Sequence, residues 1–203
     1  MPPDRLAEAP RTLAEAIADD GVAVVPGWLV DVLVSRLRAR AAQLDAAGRF
    51  APAGIGRGAT RAHRDDVRGD RVCWFDDDDP AERELAAALE RVRRDVNRTL
   101  ALGAFELEMH YAIYPAGAGY VRHRDRFRDD DARVLSCVVY LNDAWRDDEG
   151  GALRLHLPGG ARDVPPRGGT LVAFLADRVE HEVLPATRDR CSVAGWFRRR
   201  APG

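Results

Sequence analysis

Apolar residues recur at helical spacing through the first half of the chain and in short strand-like runs through the second. Leu6 to Asp19 predicts a helix ended by Gly21, and Val22-Ala-Val-Val25 reads as a buried strand stopped by Pro26-Gly27. Val30 to Ala46 predicts a second helix, with Leu33, Leu37, Ala41 and Leu44 on one stripe. Gly48 to Gly58, rich in Gly and Ala, predicts a flexible loop, and Arg71 to Phe75 a short strand. A third helix is expected from Ala81 to Leu100, because Asp79 can cap it and Pro80 suits its first turn.

After Gly103 the pattern changes. Phe105–Tyr114, Tyr120–Asp125, Val134–Leu141, Ala152–Leu157, Gly169–Leu175, His181–Leu184 and Cys191–Arg198 read as strands separated by Gly, Pro and Asp turns. The expectation is an α+β fold: one domain over residues 1–203, in which residues 1–103 give mainly helical support with edge strands. Residues 104–200 would form a β-sandwich or jelly-roll core. There is no internal repeat. The acidic runs Asp76–Asp79, Asp129–Asp131 and Asp147–Glu149 read as solvated loops, since none has the EF-hand ligand spacing.

Composition narrows the function classes. The chain has 203 residues, 46% hydrophobic content and a formal charge of −2, which suits one globular domain and provides no basic field for nucleic acid or an anionic membrane. All 31 basic residues are arginine, so an isolated arginine at a useful spacing carries little weight. Cys73, Cys137 and Cys191 are too widely spaced for a disulfide framework or a zinc site. The beginning of the chain lacks an apolar signal region and no run approaches transmembrane length, so a soluble cytoplasmic protein is expected.

The chemistry-bearing stretch is Tyr114-Pro-Ala-Gly-Ala-Gly-Tyr-Val-Arg-His123-Arg-Asp125. Residues i and i+2 on a strand share a face, so His123 and Asp125 would present an imidazole and a carboxylate to one point. His181 can add a second imidazole from a neighbouring strand. Two histidines and one carboxylate with open positions opposite are the ligand set of non-haem Fe(II) oxygenases. His63-Arg64-Asp65 has the same spacing, but it follows a loop without strand pattern. His123 and Asp125 are followed by strands enough to return a distal histidine. His110 and His156, within strand-like runs, read as exposed or hydrogen-bonded strand histidines.

Arg190 follows His181 by nine residues, a separation that fits a tight turn into an adjacent antiparallel strand. A buried arginine there can bind a carboxylate through two parallel hydrogen bonds, and Tyr140, between Val139 and Leu141, can add a hydroxyl. A dicarboxylate clamped at one end and chelating iron at the other is 2-oxoglutarate chemistry.

At this level the chain resembles the 2-oxoglutarate- and Fe(II)-dependent prolyl hydroxylases of the hypoxia-inducible-factor type and their bacterial relatives. The likeness runs from Arg68 to Phe197, about two thirds of the chain. It rests on Arg68-Gly-Asp-Arg-Val-Cys-Trp74, Tyr114–Asp125, Cys137-Val-Val-Tyr-Leu-Asn142 with Trp145, Gly150-Gly-Ala-Leu-Arg154, His181-Glu-Val183 and Arg190–Phe197. It implies a double-stranded β-helix fold, with His123, Asp125 and His181 as catalytic iron ligands. Arg190 and Tyr140 would hold the distal carboxylate of 2-oxoglutarate, Tyr114 would hydrogen-bond near its metal-bound end, and Val138, Leu153 and Val183 would line its pocket. Trp196 would close the pocket, and Asp70 would pair with Arg133 on the substrate path near Tyr120 and Trp196. The segment from Tyr114 to His123 is one residue shorter than in animal members. A C-terminal helix that grips substrate in those members is not expected here.

The activity so implied consumes O2 and 2-oxoglutarate, releases succinate and CO2, and admits ascorbate as an accessory. A proline-bearing protein is the leading substrate, with a bacterial translation factor one possibility by family analogy. A free amino acid or small metabolite is the alternative. Asp125 stands where related halogenases leave a position open for halide, which argues for hydroxylation. Nucleic acid is not an expected partner, because the demethylase branch carries a second arginine where this chain has Trp196. A membrane partner is not expected either. An idle jelly-roll binding module remains the non-enzymatic reading.

Overall fold

The computed structural model describes residues 11–54, 64, 66–76, 78–125 and 132–200. Three helices support two antiparallel sheets. Helix α1 (Leu13–Asp20) begins at a reciprocal capping box formed by Thr12 and Glu15, and the part of the expected helix from Leu6 to Pro10 lies outside the described residues. It stops at Gly21, whose φ of 76° terminates the helix in the left-handed region. After β1 (Val22–Val25) come α2 (Asp31–Ala46) and a two-residue strand β2 (Ala51–Pro52) in the stretch expected to be loop. Then follow β3 (Arg71–Trp74) and α3 (Pro80–Leu100), where the Asp79 carboxylate accepts from the Ala81 N–H at 2.7 Å. The β-rich half contains β4 (Ala104–Tyr114), β5 (Tyr120–His123), β6 (Arg133–Tyr140), β7 (Leu153–Leu157), β8 (Gly160–Val164), β9 (Leu171–Leu175), β10 (Glu180–Val183) and β11 (Arg190–Arg199). β8 escapes the sequence pattern, because four of its five residues are exposed and it carries no alternating apolar face.

The larger sheet runs β1-β9-β6-β11-β4-β3-β2 and the smaller β5-β10-β7-β8. This is the double-stranded β-helix expected from the sequence. Alternation sorts the central strands between two cores. Tyr111, Leu135, Cys137, Val193 and Phe197 pack with Ile17, Leu37, Leu85 and Leu89 beneath the helices. Ala112, Tyr114, Tyr140, Leu153, Val172 and Phe174 fill the space between the sheets. Cys137 and Cys191 are free strand thiols, the first fully buried. Among the described residues no helix is long and apolar enough to cross a membrane.

Two placements correct the sequence expectation. β10 lies in the smaller sheet and β11 at the centre of the larger, so Arg190 does not arrive on a strand adjacent to His181. The segment between them carries the chain from one sheet to the other, and Arg190 faces the histidine across the sandwich interior. β5 ends at His123, so Asp125 lies in a bend beyond the strand. Strand periodicity therefore does not by itself bring the His123 and Asp125 side chains together.

Candidate metal and cosubstrate site

The smaller sheet supplies both histidines, since His123 of β5 and His181 of β10 are direct cross-strand partners. The glycine-rich segment makes this pairing possible. A side chain at Gly119 would place its Cβ 2.7 Å from the Val183 carbonyl oxygen, so only glycine lets the segment approach β10 so closely. Each imidazole is fixed from behind. Nδ1–H of His123 donates to the Val121 carbonyl at 2.8 Å, and Nδ1–H of His181 donates to the Val179 carbonyl at 3.2 Å. A carbonyl can only accept, so both rings carry the proton on Nδ1 and present the Nε2 lone pair forward.

Asp125 reaches this point from its bend because the larger sheet holds it. Ser136 of β6 donates its hydroxyl to Asp125 Oδ2 at 2.6 Å. The carboxylate oxygens then lie 3.6 Å from His123 Nε2 and 3.7 Å from His181 Nε2, and the three donor atoms fall within 4.8 Å of one another. Burial holds His181 down to about 4, outweighing the opposing pull of Asp125, so it is neutral and able to ligate at ordinary pH. For Asp125, burial pushes the carboxyl up. The adjoining His181 and His123 rings and the hydrogen bond from Ser136 outweigh it and hold the group well below the usual carboxylate range. Two imidazoles held by their Nδ1 hydrogen bonds and one ionised carboxylate fit a divalent metal with open positions toward the cavity.

The cavity measures about 800 Å³ counting its open mouth, and Arg190 lies on its wall. Arg190 is 2% exposed. Its Nε donates to the Gly151 carbonyl at 2.9 Å and an Nη to the Ser192 hydroxyl at 3.4 Å, and among the described residues no carboxylate pairs with it. Its guanidinium carbon is 5.2 Å from the Tyr114 ring and 5.0 Å from the Tyr140 ring. Among the described residues no group lies in hydrogen-bonding geometry to the buried Tyr140 hydroxyl, and burial pushes its pKa up against the opposing pull of Arg190, so it remains a donor. A buried cation without a counter-ion is costly. With an unused hydroxyl beside it, the arrangement is a receptor for a carboxylate. Both the metal and the dicarboxylate therefore fit the residues present.

The structure gathers the remaining expected residues around the same space. Tyr114, Val138, Leu153, Val183, Trp196, Asp70, Arg133 and Tyr120 all line it. Tyr114 is opposite Arg190 in the β4–β11 register, and Tyr120 stacks on His123 with ring centroids 3.6 Å apart. The expected Asp70–Arg133 pair is not formed. Asp70 takes a bidentate bond from Arg68, two residues before it, at 2.7 and 2.9 Å. Arg133 donates to Glu108 at 2.8 Å and lies over the Trp196 ring. The rival His63 and Asp65 lie outside the described residues, as does most of the loop after Gly54.

Two lining residues are missed by sequence reasoning. Ser136 is a polar interruption in the apolar run Val134–Leu141, on the same parity as Tyr140. His110 is buried at 2% exposure with neither ring nitrogen hydrogen-bonded among the described residues, contrary to the exposed or hydrogen-bonded histidine expected. Its signal was parity with Tyr114, four residues on along β4. His156 does behave as expected, bonded to Glu182 at 3.0 Å.

Known proteins resemble this chain in sequence and fold. The 2OG-Fe(II) oxygenase superfamily profile matches residues 109–198. The crystal structure of a Pseudomonas putida prolyl-4-hydroxylase superposes with a TM-score of 0.85 at 42% identity, covering 93% of this chain and 98% of that one. Human Egl nine homolog 1 is 33% identical over 144 residues, covering 65% of this chain and 33% of the human protein. Mouse prolyl hydroxylase EGLN3 is 30% identical over 159 residues, 71% of this chain and 63% of the mouse protein. The chain thus spans from a third to less than two thirds of the length of these curated relatives. On the profile match and the full-length likeness to the Pseudomonas structure, the chain belongs to the 2OG-Fe(II) oxygenase superfamily.

Proposed function

We propose that this protein is a 2-oxoglutarate- and Fe(II)-dependent dioxygenase that hydroxylates a prolyl residue of a protein substrate, with succinate and CO2 as coproducts. One observation carries the reading: a preset His123–Asp125–His181 donor set shares a cavity with the buried Arg190, which has no carboxylate partner among the described residues. His123, Asp125 and His181 would hold the iron. Arg190 and Tyr140 would bind the far carboxylate of 2-oxoglutarate, with Tyr114, Val138, Leu153 and Val183 around it. When bound, Fe(II) with 2-oxoglutarate and O2 supplies the oxidising chemistry for hydroxylating a C–H bond.

The chain's own residues supply position and exclusion. The Val121 and Val179 carbonyls aim the imidazoles, and Ser136 fixes the rotation of Asp125. Arg190 sets the direction of the cosubstrate, so that its other end falls at the donor cluster. Tyr120 stacked on His123 and Phe174 packed on His181 keep water off the ligand rings. The half-exposed Trp74, packed against the cavity-lining His110 and Trp196, would give a protein chain an aromatic surface to settle on. The Pseudomonas relative is a prolyl-4-hydroxylase, which supports proline as the target. A bacterial translation factor is one candidate substrate that the family resemblance suggests.

The test supplies 2-oxoglutarate and Fe(II) to the wild-type protein and to His123→Ala, with cell-lysate proteins in one arm and free L-proline in another. The expected result is succinate formation with the lysate, and a proline-containing peptide gaining one oxygen atom only with wild type. Turnover with free proline and no modified protein would replace this reading by that of a small-metabolite hydroxylase.

A further inference from the structure

The proposed roles leave His110 unused, yet it lies in the cavity wall. The charged groups around it are matched: Arg68 by Asp70, Arg133 by Glu108, Arg124 by Glu180 and Asp125 by Ser136. Three nitrogens of this wall are buried without a hydrogen-bond partner among the described residues, namely Nδ1 and Nε2 of His110 and Nε1 of Trp196. The two rings are 5.2 Å apart between centroids, and Trp74 packs edge-on against His110 at 4.8 Å. Buried polar atoms in native proteins are ordinarily satisfied, so three orphans on one wall mark the place of a hydrogen-bonding ligand.

Register shows which ligand. His110 lies opposite Ala194, and Trp196 lies opposite Ser136, the residue that holds Asp125. Arg190 lies opposite Tyr114, four residues further along β4, or about 13 Å at strand rise. The orphan nitrogens are therefore at the donor-cluster end of the cavity, away from the carboxylate clamp. Burial, then the charges of Arg68 and Arg133, hold His110 down to about 3, so the imidazole is neutral. It offers one donor and one acceptor, and the Trp196 indole adds a second donor. A carboxylate would leave the acceptor facing its own lone pairs. A secondary amide, with a carbonyl and an N–H, answers both.

We propose that His110 and the indole N–H of Trp196 form a hydrogen-bonding subsite for the secondary amide that follows the target proline, an inference that rests on the prolyl-peptide reading above. Proline's own nitrogen is tertiary and carries no hydrogen, so the amide on its C-terminal side is the one that offers both groups. The subsite selects an interior peptide position over a free amino acid, whose carboxylate lacks the N–H.

The probes are a pool of acetyl-Xaa-Pro-Xaa-amide tripeptides and a counterpart pool N-methylated at the residue after proline. Each is titrated anaerobically into protein holding Fe(II) and 2-oxoglutarate, so that binding is read without turnover. Wild type should prefer the N–H pool by about five- to tenfold, as one hydrogen bond allows. His110→Leu should lose that preference while keeping wild-type affinity for 2-oxoglutarate, which shows that the cavity is intact. His110→Gln, which retains a donor and an acceptor, should keep part of the preference. A preference that persists in His110→Leu, or is missing in wild type, overturns the subsite. If wild type binds 2-oxoglutarate but neither pool, the prolyl-peptide reading itself falls, and the subsite with it.

Discussion

Asp125 is the proposed ligand whose position depends most on a single side chain, and Ser136→Ala tests that dependence. The residue lies in a bend past the end of β5, so no ladder hydrogen bond fixes it. The Ser136 hydroxyl, 2.6 Å from Oδ2 and on a residue only 1% exposed, sets the carboxylate rotation. A hydrogen bond to an ionised acceptor contributes about 1.5–3 kcal/mol, and about 1.4 kcal/mol is a factor of ten. Loss of a partner that orients a metal ligand weakens metal affinity by about 10- to 100-fold, in agreement with that range. Ser136→Ala should therefore weaken Fe(II) binding by about 10- to 100-fold, and Ser136→Thr, which keeps the hydroxyl, should restore most of it. Anaerobic competition against a chromophoric chelator gives the dissociation constant, and circular dichroism checks the fold. A Ser136→Ala affinity within about threefold of wild type, less than a typical neutral hydrogen bond contributes, would refute the argument.

Arg190→Met should lower 2-oxoglutarate affinity by about 100-fold or more, since two charge-assisted hydrogen bonds are lost. It should leave thermal stability equal or higher, because a buried cation without a counter-ion is replaced by apolar volume; calorimetric titration and thermal melting read the two effects separately. His110 is held at about 3 in the folded protein against an ordinary 6.5, so as pH falls the unfolded chain takes the proton first. Stability is complete above about pH 6.5 and declines below it, so metal-free wild type should lose about 2 kcal/mol more than His110→Leu between about pH 7.5 and about pH 5. Urea unfolding at the two pH values measures this, and equal losses would contradict a buried neutral imidazole. Leu85→Ala, at a fully buried α3 position beneath the larger sheet, should cost about 2–5 kcal/mol in unfolding free energy. Fe(II) affinity of the folded fraction should stay unchanged, and a parallel loss of affinity would show that the helices shape the site directly.

Much of the molecule follows from local chemistry that a sequence displays. Asp79-Pro80 opens α3 and Gly21 closes α1, because capping depends on residues within one turn. The alternation in β4, β6 and β11 separates residues facing the helices from those facing the cavity, because side chains on a strand change face at every step. His123, Asp125, His181, Arg190 and Tyr140 could be singled out because their residue types suit metal and carboxylate binding and their order along the chain resembles that of a known family.

Other features depended on the tertiary structure. His181 and Arg190 are close in sequence yet sit in opposing sheets, a placement set by strand pairing over the whole sandwich rather than by the residues between them. Asp70 chose Arg68 over Arg133, and among several nearby arginines only folded distances decide the partner. β8 pairs with β7 through backbone hydrogen bonds at a solvent-facing edge, which leaves no hydrophobic signature. For His110 and Ser136 the sequence specified the side chains and their parity. Only the packed sandwich determined that one imidazole would be buried without a hydrogen-bond partner and that one hydroxyl would hold a carboxylate, because satisfaction of a buried polar group is a property of everything around it.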